Sequence, residues 1–184
     1  MEVILRILKP VVAACVIWAG PALAVQGDAL DDLFEALRTA EGQDAARIVD
    51  KIGSEWSRSG SPAMDLLLQH GREALDAGDT GAAIEHLTAL IDHAPDFAEG
   101  YHARATAYFN EQMFGPAIED LRRTLALNPR HFGAMTGLAL ILRDIGRDDA
   151  ALEVWREVRR LYPASPQAET EVRALEAEVE GQAL

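Results

Sequence analysis

From Ala29 onwards the chain alternates short amphipathic stretches with breaks, and its apolar positions recur at helical spacing. Leu30, Leu33, Phe34 and Leu37 form one stripe over Ala29–Arg38. Ile48, Val49, Ile52 and Trp56 form another over Asp44–Trp56. Ala40-Glu41-Gly42-Gln43 joins the two, which predicts a helical hairpin, and Ser57–Pro62 leads on from it. Pro95, Pro129 and Pro163 then stand 34 residues apart. Twelve positions before each stands an alanine (Ala83, Ala117, Ala151), and eight before each a large apolar residue (Leu87, Leu121, Trp155). Twenty-four before, the residues are small (Gly71, Ala105, Ala139), and twenty-eight before they are large (Leu67, Tyr101, Met135). A single fixed period that holds for so many residue classes marks an internal repeat.

Each unit reads as two helices. The small residue allows a second helix to approach closely. The breaks at Gly78-Asp79, at Gln112 through Gly115 and at Gly146-Arg147-Asp148 end one helix and cap the next. The proline closes the unit because it cannot continue a helix. After the last unit, Val172, Leu175 and Val179 predict a helix over Pro166–Val179, with Ser165 as N-cap and Pro166 in its first turn.

On these residues, from about Ala63 to Pro163, the chain resembles the tetratricopeptide repeat (TPR) family. The resemblance implies an all-α, right-handed superhelical stack with three repeats at about 64–97, 98–131 and 132–163. Residues 25–62 are expected to be an N-terminal hairpin that covers the apolar face of the first repeat, and 164–184 a C-terminal capping helix. The family's groove-facing slots, carried over position by position, select Leu68, Arg72, His102, Thr106, Phe109, Asn110, Thr136, Leu140 and Arg143 as a partner-binding groove. Phe109 and the two arginines are the expected anchors. The family's chaperone-carboxylate clamp is not expected: its cationic slots hold Leu68, Ala103, Gly133 and Gly137, and only Arg72 would substitute in part. His70 and Arg104 stand where leucine is usual. Their stems are expected to pack with the heads at the edge, the alternative being a polar layer that tunes the groove.

Composition narrows the partners. Aromatic residues are 6% of the chain, so the core is built from aliphatic residues, and the net charge of -13 argues against nucleic acid. Residues 1–24 read as an export segment: Arg6 and Lys9, an apolar run from Val11 to Ala19, then Ala22-Leu23-Ala24 as a small-residue cleavage pattern. Cleavage is expected after Ala24, with a retained anchor or a lipid on Cys15 as alternatives. The run is too short for a good membrane span, so no span is expected in the mature chain. Cys15, within this segment, is the only cysteine, so the mature chain is expected to have none, which suits an oxidising compartment and points to the periplasm.

Catalytic signatures are missing: there is no phosphate loop, nucleophile elbow or His-Glu-x-x-His run. His86 and His93 are seven apart, whereas a metal pair on one helix prefers three or four. No cofactor, metal or enzymatic activity is therefore expected. The nearest titratable pairing joins His102 to Asp65 or Glu99. The sequence thus predicts a non-enzymatic module that binds a peptide or partner protein in a concave groove in the bacterial envelope. The alternative is an assembly subunit that uses its caps or convex face.

Overall fold

A computed structural model describes residues 22–182. Residues 1–21, with Cys15 and most of the export segment, lie outside the described residues. Those residues form α1 (Ala22–Leu37), α2 (Gly42–Trp56), α3 (Pro62–Asp76), α4 (Thr80–His93), α5 (Ala98–Asn110), α6 (Phe114–Leu127), α7 (Phe132–Asp144), α8 (Asp148–Leu161) and α9 (Pro166–Gln182). The fold is all-α, and α3–α8 are three stacked helix hairpins.

Local chemistry explains the breaks. Gly78 and Gly146 take positive φ of 75° and 71°, and the residue in register between them, Gln112, takes 57°. At each break a backbone N–H reaches back over the helix end: Asp79 to the Ala74 carbonyl, Met113 to Tyr108 and Arg147 to Leu142, at 2.8–2.9 Å. This left-handed cap satisfies carbonyls that the helix leaves open. Asp79 caps α4 by accepting from the Ala82 amide, and Ser165 caps α9 by accepting from that of Ala168.

The small residue works as its position implies. A Cβ on Gly71 would sit 2.5–3.1 Å from the Leu87 side chain of α4. Gly71→Ala is therefore expected to destabilise the stack. Overpacking costs about 1–3 kcal/mol, against about 1 kcal/mol gained in helix propensity. Urea denaturation would show the loss, whereas an unchanged midpoint would mean that Leu87 yields freely.

The α1–α2 hairpin corrects the expected cap. Its stripe is not spent on the first repeat. Phe34, Leu37, Ala45 and Ile52 belong to one buried cluster with Met135, Trp155, Val158 and Leu175 of α7–α9. Trp56 stacks on His131 (centroids 4.2 Å, interplanar 22°) and also meets Phe132, while the Phe34 ring meets Phe132 edge-on. Arg130 lies 4.4 Å over the Phe34 ring and pairs with Asp31 at 2.7 Å. The hairpin is therefore folded back across the stack onto the third repeat. An amphipathic stripe requires a covered face but does not choose which apolar surface covers it.

The first repeat manages its open end by sequence. In the later copies Gly100, Ala103 and Ala107, then Ala134 and Ile141, are buried at the junction with the preceding helix. The matching α3 positions are Leu66, Gln69 and Glu73, all exposed, and the Gln69 amide donates to Glu73 at 2.7 Å. Arg104 also departs from expectation. Its head is pinned between α4 and α6, bidentate to Asp120 at 2.8 Å and 3.1 Å from Thr88. His70 packs on the His86 ring instead, so the two do not form one layer.

Candidate functional site

The first helices of the three repeats, α3, α5 and α7, carry the predicted groove residues. Five of them converge. His102, Thr106 and Phe109 of α5 and Thr136 and Leu140 of α7 line one cavity of about 200 Å³. Gly133 and Gly137 of α7 leave its wall without side chains, and Leu121 and Ile141 close its apolar floor. Phe109 is held against Phe114 with ring centroids 5.9 Å apart.

The other four do not join them. Leu68 is 2% exposed, packed with Ala83, Leu87 and Leu90, so it is core and not groove surface. This corrects its assignment as a free apolar contact. Asn110 is exposed at the end of α5, outside the cavity lining. Arg143 pairs with Glu171 and Glu178 of α9. Arg72 donates to Glu99 and, at 3.0 Å, to the Ser57 hydroxyl in the linker after the hairpin. Neither arginine is free to act as an anchor.

Beside the cavity lies a buried polar cluster that sequence reasoning only half resolved. Glu99 is 6% exposed and takes bonds from three elements. Arg72 of α3 holds one oxygen, His102 Nδ1 lies 3.3 Å from that oxygen, and His131 Nε2 lies 2.8 Å from the other. The expected pairing of His102 with Glu99 is thus present. Asp65 instead accepts from the Ser59 amide and hydroxyl. Sequence reasoning missed His131, which stands at the N-cap register of α7 between Phe97 and Ser165. It missed Trp56 as its stacking partner as well.

The hydrogen bonds of His131 determine its tautomer. Nδ1 accepts from the Ala134 amide at 3.0 Å, so the ring proton sits on Nε2 and is donated to Glu99. Burial pushes the His131 imidazole below its ordinary value near 6.5, despite the opposing pull of Glu99. For Glu99, burial raises the carboxyl, but bonds from His102 and His131 override it and hold it well below the usual carboxylate range.

The donor atoms of Glu99, His102 and His131 lie within 4.8 Å of one another, which is compatible in distance with a metal ion. The tautomer argues otherwise. A metal at Nε2 would displace the proton given to Glu99 while Nδ1 still serves as the helix cap, and Arg72 already neutralises the carboxylate. The cluster is better described as an internal latch that ties α3, α5 and the α6–α7 turn to the hairpin through Trp56 and Ser57.

Comparison with known proteins agrees with this architecture. A family model described as Tetratricopeptide repeat matches residues 68–114 and 102–166. A TPR repeat-containing protein of Rhizobium etli is 35% identical over 153 residues, covering 83% of this chain and 75% of that protein. Tetratricopeptide repeat protein 36 of Bos taurus is 32% identical over 124 residues, 65% of each chain. Among solved structures, the first TPR domain of Spaghetti (RPAP3), bound to the HSP90 peptide SRMEEVD, superposes with a TM-score of 0.61. It is 23% identical and covers 64% of this chain and 93% of its own. MamA gives a TM-score of 0.60 at 27% identity, covering 66% and 69%. With the repeats in register and a relative matched over most of its length, the chain belongs to the tetratricopeptide repeat family.

Proposed function

We propose that the chain is a non-enzymatic interaction module that holds a segment of a partner protein in the cavity between α5 and α7. We place it in the bacterial envelope, after export directed by residues 1–24. The observation that carries the reading is the cavity itself: five side chains chosen from the family's groove slots line one apolar recess on the stack. Few polar groups in an apolar recess suit an extended or helical segment of protein. Structural neighbours give the reading precedent, since the first RPAP3 TPR domain is bound to an HSP90 peptide and the second, of the human protein, is in complex with an HSP70 peptide.

The test is cross-linking and co-purification from envelope extract, with tagged wild type beside a Thr106→Tyr, Thr136→Tyr variant. The tyrosines fill the recess without changing charge, and circular dichroism checks the fold. The partner recovered by wild type is expected to fall by about tenfold or more, equivalent to about 1.4 kcal/mol. Undiminished recovery would sink the groove reading and favour contacts through the hairpin or the convex face. A signal from mature protein found only in the cytoplasm would overturn the envelope placement.

A further inference from the structure

The charges around the cavity bear on what kind of segment it accepts. Among the described residues, every arginine except Arg147 lies within salt-bridge distance of a carboxylate. This includes both arginines on the groove helices. Arg72 is committed to Glu99, and Arg143 to two glutamates of α9. A carboxylate ligand would have to take Arg72 from a buried acid, leaving an uncompensated charge behind. Arg147 and Lys51, the remaining cations among the described residues, do not line the recess, so an acidic segment finds no free cation in its wall.

Basic groups meet the opposite situation. The helices α3, α5 and α7 end at Asp76, Asn110 and Asp144, which share one register of the 34-residue repeat, and all three are exposed. Neither Asp76 nor Asp144 has a cationic partner among the described residues. Glu111 is exposed beside Asn110, its carboxylate accepting only a neutral hydroxyl bond from Thr80. The acids stand where the helix dipoles present their negative ends. The cavity floor, with Phe109, Leu140, Leu121 and Ile141, is apolar, and about 200 Å³ suits a single side chain between leucine and phenylalanine in size.

We propose that the bound segment is basic: one apolar side chain enters the α5–α7 recess, and flanking lysines or arginines meet the exposed acids at the ends of the groove helices, Asp76 after α3, Glu111 after α5 and Asp144 after α7. The recess is the site, and the acids at the helix ends set the sign of the partner. The inference rests on the groove reading above and reverses the charge of SRMEEVD, the acid-rich peptide bound to the RPAP3 domain. Charge complementarity of this kind selects partners and speeds encounter more than it adds affinity.

The experiment uses fluorescence polarisation with short synthetic peptides in a serine-glycine background. Each carries a central Leu, Met, Phe or Ala, flanked by lysines, by glutamates or by neither. Four results are expected together. Lysine-flanked peptides with an apolar centre bind about tenfold or more tighter than glutamate-flanked ones. Their affinity falls as salt is raised. The alanine-centred peptides lose binding. An Asp76→Asn, Asp144→Asn variant narrows the gap between the two flanks. Equal or tighter binding of glutamate-flanked peptides, or no difference between lysine and neutral flanks, overturns the charge inference while the groove reading stands. Lysine-peptide binding that persists in Thr106→Tyr, Thr136→Tyr overturns it as non-specific attraction to an acidic surface. Binding of none of the peptides removes both readings.

Discussion

Replacing Glu99 with alanine is expected to destabilise the fold by about 3–5 kcal/mol, the usual result of removing one partner from a buried ion pair. The carboxylate is the hub of three contacts, and its loss leaves the Nη2 of Arg72 and the Nε2 proton of His131 without an acceptor and removes the contact with His102 Nδ1, while Arg72 keeps only its bond to Ser57. His131 would then hold its ring less firmly beneath Trp56, so the hairpin should loosen before the repeats unfold. Cleavage by a protease in the linker around Ser57–Ser61 would report that loosening, and urea denaturation the total. Glu99→Gln keeps the shape and should cost less. Loss of under about 1 kcal/mol on Glu99→Ala would mean that water replaces the carboxylate and that no latch exists.

The same cluster gives stability a pH dependence of known sign. His131 has a folded pKa below its ordinary value, so its contribution is complete above about pH 6.5 and declines as pH falls through that point, because the unfolded chain takes up the proton first. Glu99, also depressed, adds a second loss below the ordinary carboxylate value of 4.5. Both losses run in the same direction. Denaturation midpoints between pH 5 and 8 should fall on the acid side, and His131→Asn, which retains a capping acceptor, should flatten that part of the curve. A midpoint that rises on acidification would contradict the tautomer assigned to His131.

Trp155→Ala should cost a comparable amount, about 3–5 kcal/mol, as large core truncations do. Trp155 is fully buried in the cluster that unites the hairpin with α7, α8 and α9. A void there would weaken both ends of the chain at once, and the protease-sensitive linker should again open early. Among the described residues its buried indole N–H has no hydrogen-bond partner. Trp155→Phe removes that unsatisfied donor along with some apolar area, so it should cost far less than the alanine variant. Equal losses for the two variants would show that area alone governs the site.

The repeats were legible because they recur. Ala83-Ile84-Glu85, Ala117-Ile118-Glu119 and Ala151-Leu152-Glu153, in register with Pro95, Pro129 and Pro163, leave little room for another architecture, and helix breaks need only local chemistry. The partner of the hairpin was not legible. The stripe from Ile48 to Trp56 shows that a face is covered, while the covering surface, Phe132 and His131, lies some 80 residues further along the chain. The groove was partly legible. Thr106, Phe109, Thr136 and Leu140 follow from helix register alone. Whether Arg72 and Arg143 are free depends on acids from other repeats, Glu99, Glu171 and Glu178, and register on one helix carries no information about those distances. Leu68 was misplaced because its slot faces outward in the family pattern, whereas here it completes the packing of Leu87 and Leu90.

The polar residues at the end of the first repeat also bear on self-association. A solenoid whose two ends match can add copies head to tail, and such a contact does not close into a ring unless the rotation allows it, so it grows into a fibre. Here Gln69 and Glu73 replace the buried small residues that Ala103 and Ala107 supply one repeat later, and they hydrogen-bond each other. An incoming helix would have to strip water from a carboxylate with no cation to receive it. With Leu66 its one apolar member, this face is expected to resist head-to-tail addition, whereas the matching face one repeat on welds the stack together.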